Sequence, residues 1–137
     1  MGDQVPGALL LVMLDVDPSV DEAEFNRWYF EEHAAERLAC PGFLSAKRFT
    51  IAPGAPSVTG LPPGGAVMGR PRYLALYELV GPAALETPEY LSLDAKASNR
   101  TKRMVSAMRD VIRNVYVPLA RATETSLEKQ QGSTSQD

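Results

Sequence analysis

The 137-residue sequence holds a single cysteine, a single histidine and a single tryptophan. A lone Cys40 closes no internal disulfide, which excludes a secreted cysteine scaffold. One histidine with one cysteine also falls short of the ligand sets that zinc sites draw from a chain, so no metal is expected. Basic residues are not in excess: 14 Lys and Arg against 17 Asp and Glu leave a net charge of −3. That balance is opposite to a nucleic-acid footprint. No Gly-x-Gly-x-x-Gly and no P-loop lysine motif occurs. Gly60, Gly64, Gly65 and Gly69 fall between two expected strands rather than before a helix, which argues against a phosphate cradle. The apolar run Ala8 to Leu14 is too short for a membrane span and lacks a basic leader. The expectation is a cytoplasmic chain with no cofactor, no nucleic-acid partner and no membrane.

The length suits one domain, expected over residues 7–120. Leu9 to Val16 reads as a buried strand ended by Asp15, Asp17 and Pro18. Ser19 or Asp21 then caps a helix whose first turn carries Asp21, Glu22 and Glu24. It is expected to run to about Ala39, where Pro41-Gly42 stops it. Phe43 to Ile51 follows as a strand, with Phe43, Ser45, Lys47 and Phe49 on one face and Leu44, Ala46, Arg48 and Thr50 on the other. Ala52 to Pro71 is rich in Pro and Gly. Loops this long inside a domain are usually lids or binding elements, so a lid or an interface arm is expected there. Arg72 to Val80 reads as a third strand with Tyr73 and Tyr77 on one face. Pro88 predicts a short turn and then a longer helix from about Glu89. Val111 to Val117 is β-branched and aromatic, and suits a last strand closed by Pro118. Residues 123–137 are too polar to offset their ordering entropy and read as a disordered tail.

The order βαβ, then βαβ predicts an α+β class, ferredoxin-like βαββαβ fold with a four-stranded antiparallel sheet. Helices on one face leave the other face open. Two copies packing sheet to sheet would cover it, so a homodimer is expected.

His33 is the one side chain whose ordinary pKa, roughly 6.5, lies near neutrality. It falls one helical turn after Tyr29 and one before Arg37, at the edge of the apolar face. Its functional reading is a general acid–base at a pocket mouth, titrating between about pH 5.5 and 7.5. The alternative is a structural imidazole bonded across the helix. Tyr73 and Tyr77 are candidate hydrogen-bond donors to a developing enolate or phenolate oxygen, and Arg48 can fix a carboxylate. Trp28, Tyr29, Arg48 and Tyr116 are candidate substrate-binding residues, although Trp28 also has the composition of core.

Three segments carry a resemblance to a known family. They are Trp28-Tyr29-Phe30-Glu31-Glu32-His33, then Pro41-Gly42-Phe43 leading into Arg48-Phe49, then the Tyr-rich Arg72 to Leu79. With Arg113 to Leu119 they resemble the EthD-like proteins of the dimeric α+β barrel superfamily. The resemblance implies a ferredoxin-like protomer, a two-chain barrel, a pocket between sheet and helices, and an acid–base role for the matching His33. It implies no single reaction. The expected function is a small cofactor-independent enzyme acting on an apolar cyclic or aromatic carbonyl metabolite, of isomerase, dehydratase/cyclase or monooxygenase type. The alternative is a non-catalytic small-molecule-binding or accessory protein. Haem ligation by His33 is a third reading, disfavoured because haem-degrading relatives place their histidine elsewhere.

Overall fold

The computed structural model describes residues 5–53 and 70–119. Most of the expected 52–71 loop, and the whole expected tail, lie outside the described residues. The elements are β1 (Ala8–Val16), α1 (Glu22–Trp28), a π-helical turn (Tyr29–His33), α2 (Ala34–Leu38), β2 (Phe43–Thr50) and β3 (Tyr73–Leu79). A 3₁₀ turn (Pro82–Glu86) follows, then α3 (Pro88–Leu91), α4 (Asn99–Ser106) and β4 (Met108–Tyr116). The strands form one sheet in the order β2-β3-β1-β4, every neighbouring pair antiparallel. With helices following β1 and β3, this is the ferredoxin-like split βαβ arrangement.

Cross-strand partners share a face. Leu10 opposes Tyr77, Val12 opposes Ala75 and Leu14 opposes Tyr73. Ala8, Leu10, Leu14, Ala75, Tyr77 and Leu79 are buried against Phe25, Trp28, Tyr29 and Met104 of the helices. Each such large side chain removed from water stabilises by about 1.5–3 kcal/mol. The opposite face carries Leu9, Leu11 and Met13 of β1 beside Leu74 and Leu76 of β3. Phe49 on β2, and Ile112 and Tyr116 on β4, continue that face and are exposed.

Four local features differ from the sequence expectation. The first helix is not regular: the Ala34 N–H reaches back to the Tyr29 carbonyl, five residues away, instead of four. The wider turn brings the rings of Trp28, Tyr29 and His33 together, and such turns concentrate at functional sites. In β2 a bulge between Phe43 and Ser45 resets the alternation. Phe43 therefore joins the core with Ala46, while Ser45, Lys47 and Phe49 face the other way. The second long helix is broken after Leu91. Thr87 caps α3 and Ser98 caps α4, each hydroxyl accepting a backbone N–H three residues on. Finally, β4 begins earlier than expected because Met108 and Arg109 pair with Val16 and Asp15 beyond a bulge that places one extra residue in β4.

Gly42 turns the chain from α2 into β2 with φ of 90°, and a Cβ there would stand 2.7 Å from that of Ala84. Only glycine meets both conditions.

Candidate active site

A cavity of about 290 Å³ lies between the first helical segment and the sheet. Tyr29, Phe30, Ala34, Ala35 and Leu38 line it from the helix side. Ala46, Lys47 and Arg48 of β2, with Ala75 and Tyr77 of β3, line it from the sheet. The π turn sets the helical wall, and the β2 bulge points Ala46 and Arg48 inward.

Arg48 is the half-buried charged group of this wall. Its guanidinium carbon lies 4.1 Å from the centre of the Tyr29 ring and 5.1 Å from that of Tyr73. Each ring face attracts the cation. Its Nη1 donates to the Asn26 Oδ1 at 2.9 Å, and its buried Nε has no partner. Among the described residues it makes no ion pair with a carboxylate. Burial lowers its pKa from the ordinary value. Arginine nevertheless remains cationic in proteins.

Tyr77 and Tyr29 are both nearly fully buried, and the Tyr77 hydroxyl donates to that of Tyr29 at 3.1 Å. Burial pushes both phenols above their ordinary pKa, so both are neutral donors. One bond between two hydroxyls uses one proton. The other has no acceptor among the described residues. Beside the cavity, two donors are thus unspent among the described residues, the Nε–H of Arg48 and an O–H of the tyrosine pair.

His33 is not among the residues that line the cavity. Its ring packs 4.6 Å from that of Tyr29 and 5.0 Å from that of Trp28, and its buried Nδ1 has no partner. Burial, then the positive charges of Arg37 and Arg48, pull its pKa down to about 3. The imidazole is thus neutral across the range in which the sequence expectation had it titrating.

This carries a pH consequence. The unfolded chain binds a proton at His33 below about pH 6.5, and the fold refuses it until about pH 3. Between these values stability falls as pH falls, His33 contributing up to about 1.4 kcal/mol per pH unit. His33→Phe keeps a ring against Trp28 and Tyr29 and removes the proton site. Urea unfolding from pH 6.5 to 4 is expected to show a shallower loss for the variant. A slope equal to that of the unsubstituted chain would contradict the buried neutral imidazole.

The structure brings Tyr29, Arg48 and Tyr77 together at the cavity and sets Trp28 behind them in the core. It separates two other candidates. The Tyr73 hydroxyl donates to Glu22 at 2.6 Å and accepts from Asn26 and Arg72, at a different cleft. Tyr116 lies on β4 opposite Leu9, on the exposed sheet face. Asn26 was not a sequence candidate. The signal was faint: an asparagine inside a helix competes for backbone bonds and is tolerated where its amide has a task.

The larger cleft, about 580 Å³, opens beside the ends of β1 and β3 and includes Asp15, Asp17, Glu22, Arg70, Arg72 and Arg109. Its charges are matched internally. Arg70 pairs with Asp15 and Asp110, Arg72 with Glu22, and Arg109 with Asp17. Exposed pairs of this kind are worth about 0–1 kcal/mol each and leave no charge for a ligand. The smaller, apolar cavity with an unneutralised Arg48 is the better candidate site. No group of three or more His, Cys, Asp or Glu side chains among the described residues is placed to hold a metal ion. No described helix is long and apolar enough to cross a membrane.

No protein-family model matches the chain, and no curated protein matches it. Solved structures similar to it include SnoaB, a cofactor-independent oxygenase from Streptomyces nogalater, at 14% identity and a TM-score of 0.49. That similarity covers 82% of this chain and 93% of the other. A second is an ethyl tert-butyl ether d (EthD) family protein from Bacillus halodurans C-125, at 17% identity and a TM-score of 0.48. There the coverage is 82% of this chain and 99% of the other.

Proposed function

We propose that this chain is a small cofactor-independent enzyme for an apolar cyclic or aromatic metabolite that bears a carbonyl oxygen. The ligand occupies the cavity between the first helix and β2–β3, and the protein stabilises negative charge developing on that oxygen. One observation carries the reading: Arg48, a half-buried arginine with no carboxylate partner among the described residues and an Nε–H without an acceptor there, lines an apolar cavity. An unpaired buried charge costs several kcal/mol, and a site that needs it for a ligand is the usual reason to keep it.

His33, packed behind Tyr29, enters as the proton acceptor through one intervening water. The Arg48 charge helps hold its proton affinity down. Charge growing on a ligand oxygen beside Arg48 offsets that field, so proton transfer to His33 and enolate formation favour each other. Isomerisation, dehydration and oxygenation all begin from such an enolate. The second reading is binding without turnover, favoured by the position of His33 outside the cavity lining.

The two readings separate with 2-tetralone, a bicyclic aromatic ketone with an acidic α-carbon. Trp28 is the sole tryptophan, and its ring lies 5.6 Å from that of the cavity residue Tyr29, so its fluorescence reports occupancy. Binding with α-hydrogen exchange into D₂O above the buffer rate is the expected result. Binding without exchange makes this a binding protein. Failure of 2-tetralone to perturb Trp28 at millimolar concentration overturns the cavity as the site.

The exposed apolar sheet face is read as the seat of a second copy of the chain. Sedimentation equilibrium is expected to give twice the 14.9 kDa of one chain. The monomer mass at micromolar concentration would remove the dimer.

A further inference from the structure

Arg48 is tied to the protein surface by a directed chain of hydrogen bonds. Its Nη1 donates to the Asn26 Oδ1 at 2.9 Å, and the Asn26 Nδ2 donates to the Tyr73 hydroxyl at 3.3 Å. That hydroxyl donates to the Glu22 Oε2 at 2.6 Å. Arg72 closes the outer end, its Nη2 donating to the Tyr73 oxygen at 2.7 Å and pairing with Glu22. Every link runs donor to acceptor in the same sense, from the half-buried cation toward the carboxylate. The direction fixes the amide: Asn26 must present its oxygen to Arg48 and its nitrogen to Tyr73. It also keeps Glu22 two neutral groups away from Arg48. The carboxylate orients the guanidinium without neutralising it.

We infer that Asn26, Tyr73 and Glu22 are positioning residues for Arg48, and that their chain sets the preference of the cavity for a ligand with a negatively charged oxygen. Locked at Nη1 and held between the rings of Tyr29 and Tyr73, the guanidinium has one edge spent on protein and its Nε–H unspent. A loosened guanidinium would turn toward Asn26, Tyr73 or water, and its charge would no longer be aimed. The ligand preference rests on the cavity being the site; the positioning of Arg48 does not.

Two measurements on the full chain separate these. The first uses benzoate and benzyl alcohol, which share a ring and differ in charge, titrated against Trp28 fluorescence. The unsubstituted chain is expected to prefer benzoate by about 10-fold, the size of one charge-assisted hydrogen bond. Tyr73→Phe and Glu22→Gln are expected to reduce the preference below about 3-fold with benzyl alcohol affinity unchanged. Asn26→Asp, which sets a carboxylate directly on Arg48, is expected to abolish it. The second measurement needs no ligand: guanidinium rotation in ¹⁵N-arginine NMR, with the Arg48 signal identified by its loss in Arg48→Lys. Rotation is expected to be slow in the unsubstituted chain and faster in Tyr73→Phe. If Tyr73→Phe leaves both the rotation and the benzoate preference unchanged, the inference is overturned. If rotation responds but the unsubstituted chain shows no benzoate preference, the positioning stands and the assigned ligand charge falls.

Discussion

Arg48→Met is expected to weaken benzoate binding by about 10- to 100-fold, with little effect on benzyl alcohol. Methionine fills much of the same space beside Tyr29 and Tyr73 and offers neither charge nor N–H. The stability of the variant is the more telling half of the result. The arginine holds a half-buried charge with no carboxylate among the described residues to meet it, so its removal relieves part of a desolvation cost. Against that stands one lost bond, which leaves the Asn26 oxygen unpartnered at about 1–3 kcal/mol. The two nearly cancel, and the unfolding midpoint is expected to hold within about 5 °C. Lost affinity at held stability is the signature of a group kept for binding. A large fall in the midpoint, with benzoate affinity intact, would instead make Arg48 part of the scaffold.

Trp28→Ala is expected to be the most damaging single change to the fold. The side chain is fully buried, meets Phe25 and His33 at tilted angles and Tyr29 edge-on, and its Nε1 donates to the Thr101 Oγ1 at 2.9 Å. That bond joins the first helix to α4, and Glu32, Ser98 and Arg100 surround it with further bonds. Removing a buried aromatic of this size costs about 3–5 kcal/mol. Domains of this kind are stable by about 5–15 kcal/mol, so the loss is a large share of the whole. Urea titration followed by circular dichroism reads it directly. A loss below about 2 kcal/mol would mean that the space around Trp28 collapses easily when the ring is removed.

The fold was legible because its signals are periodic. β1 opens on the continuous apolar run Ala8 to Leu14, Asp21 stands at the helix start with its side chain accepting the Glu24 N–H, and Pro41-Gly42 marks the turn into β2. What escaped were single-residue insertions. The π turn and the β2 bulge each add one residue to a regular ladder. Neither changes composition or period enough to show in the sequence. Both bear on the site, since they aim Tyr29 and Arg48 at the cavity. The site was legible in part for a related reason. Tyr29, Arg48 and Tyr77 were identifiable by type and resemblance, whereas the distinction between Tyr77 and Tyr73 depends on which cleft each hydroxyl meets. The histidine was picked out for its ordinary pKa, a property of the free side chain. Burial and two neighbouring arginines reverse it: Arg37 stands one helical turn away in the sequence, but burial and the approach of Arg48 from β2 are set only by the fold.

The position of β1 has a consequence for synthesis. Paired on both sides, its ladder is completed by strands that end at Leu79 and Tyr116. On a ribosome adding about 5–20 residues per second, roughly 5–20 s pass between the making of Val16 and the making of Tyr116. Until Leu79 is made the most apolar segment of the chain has only its local helix to shelter it, and until Tyr116 is made one of its edges stays unpaired. Chaperone dependence and inclusion-body formation in this protein are therefore expected to track the exposure of Ala8–Val16 in the nascent chain more than the final stability of the fold.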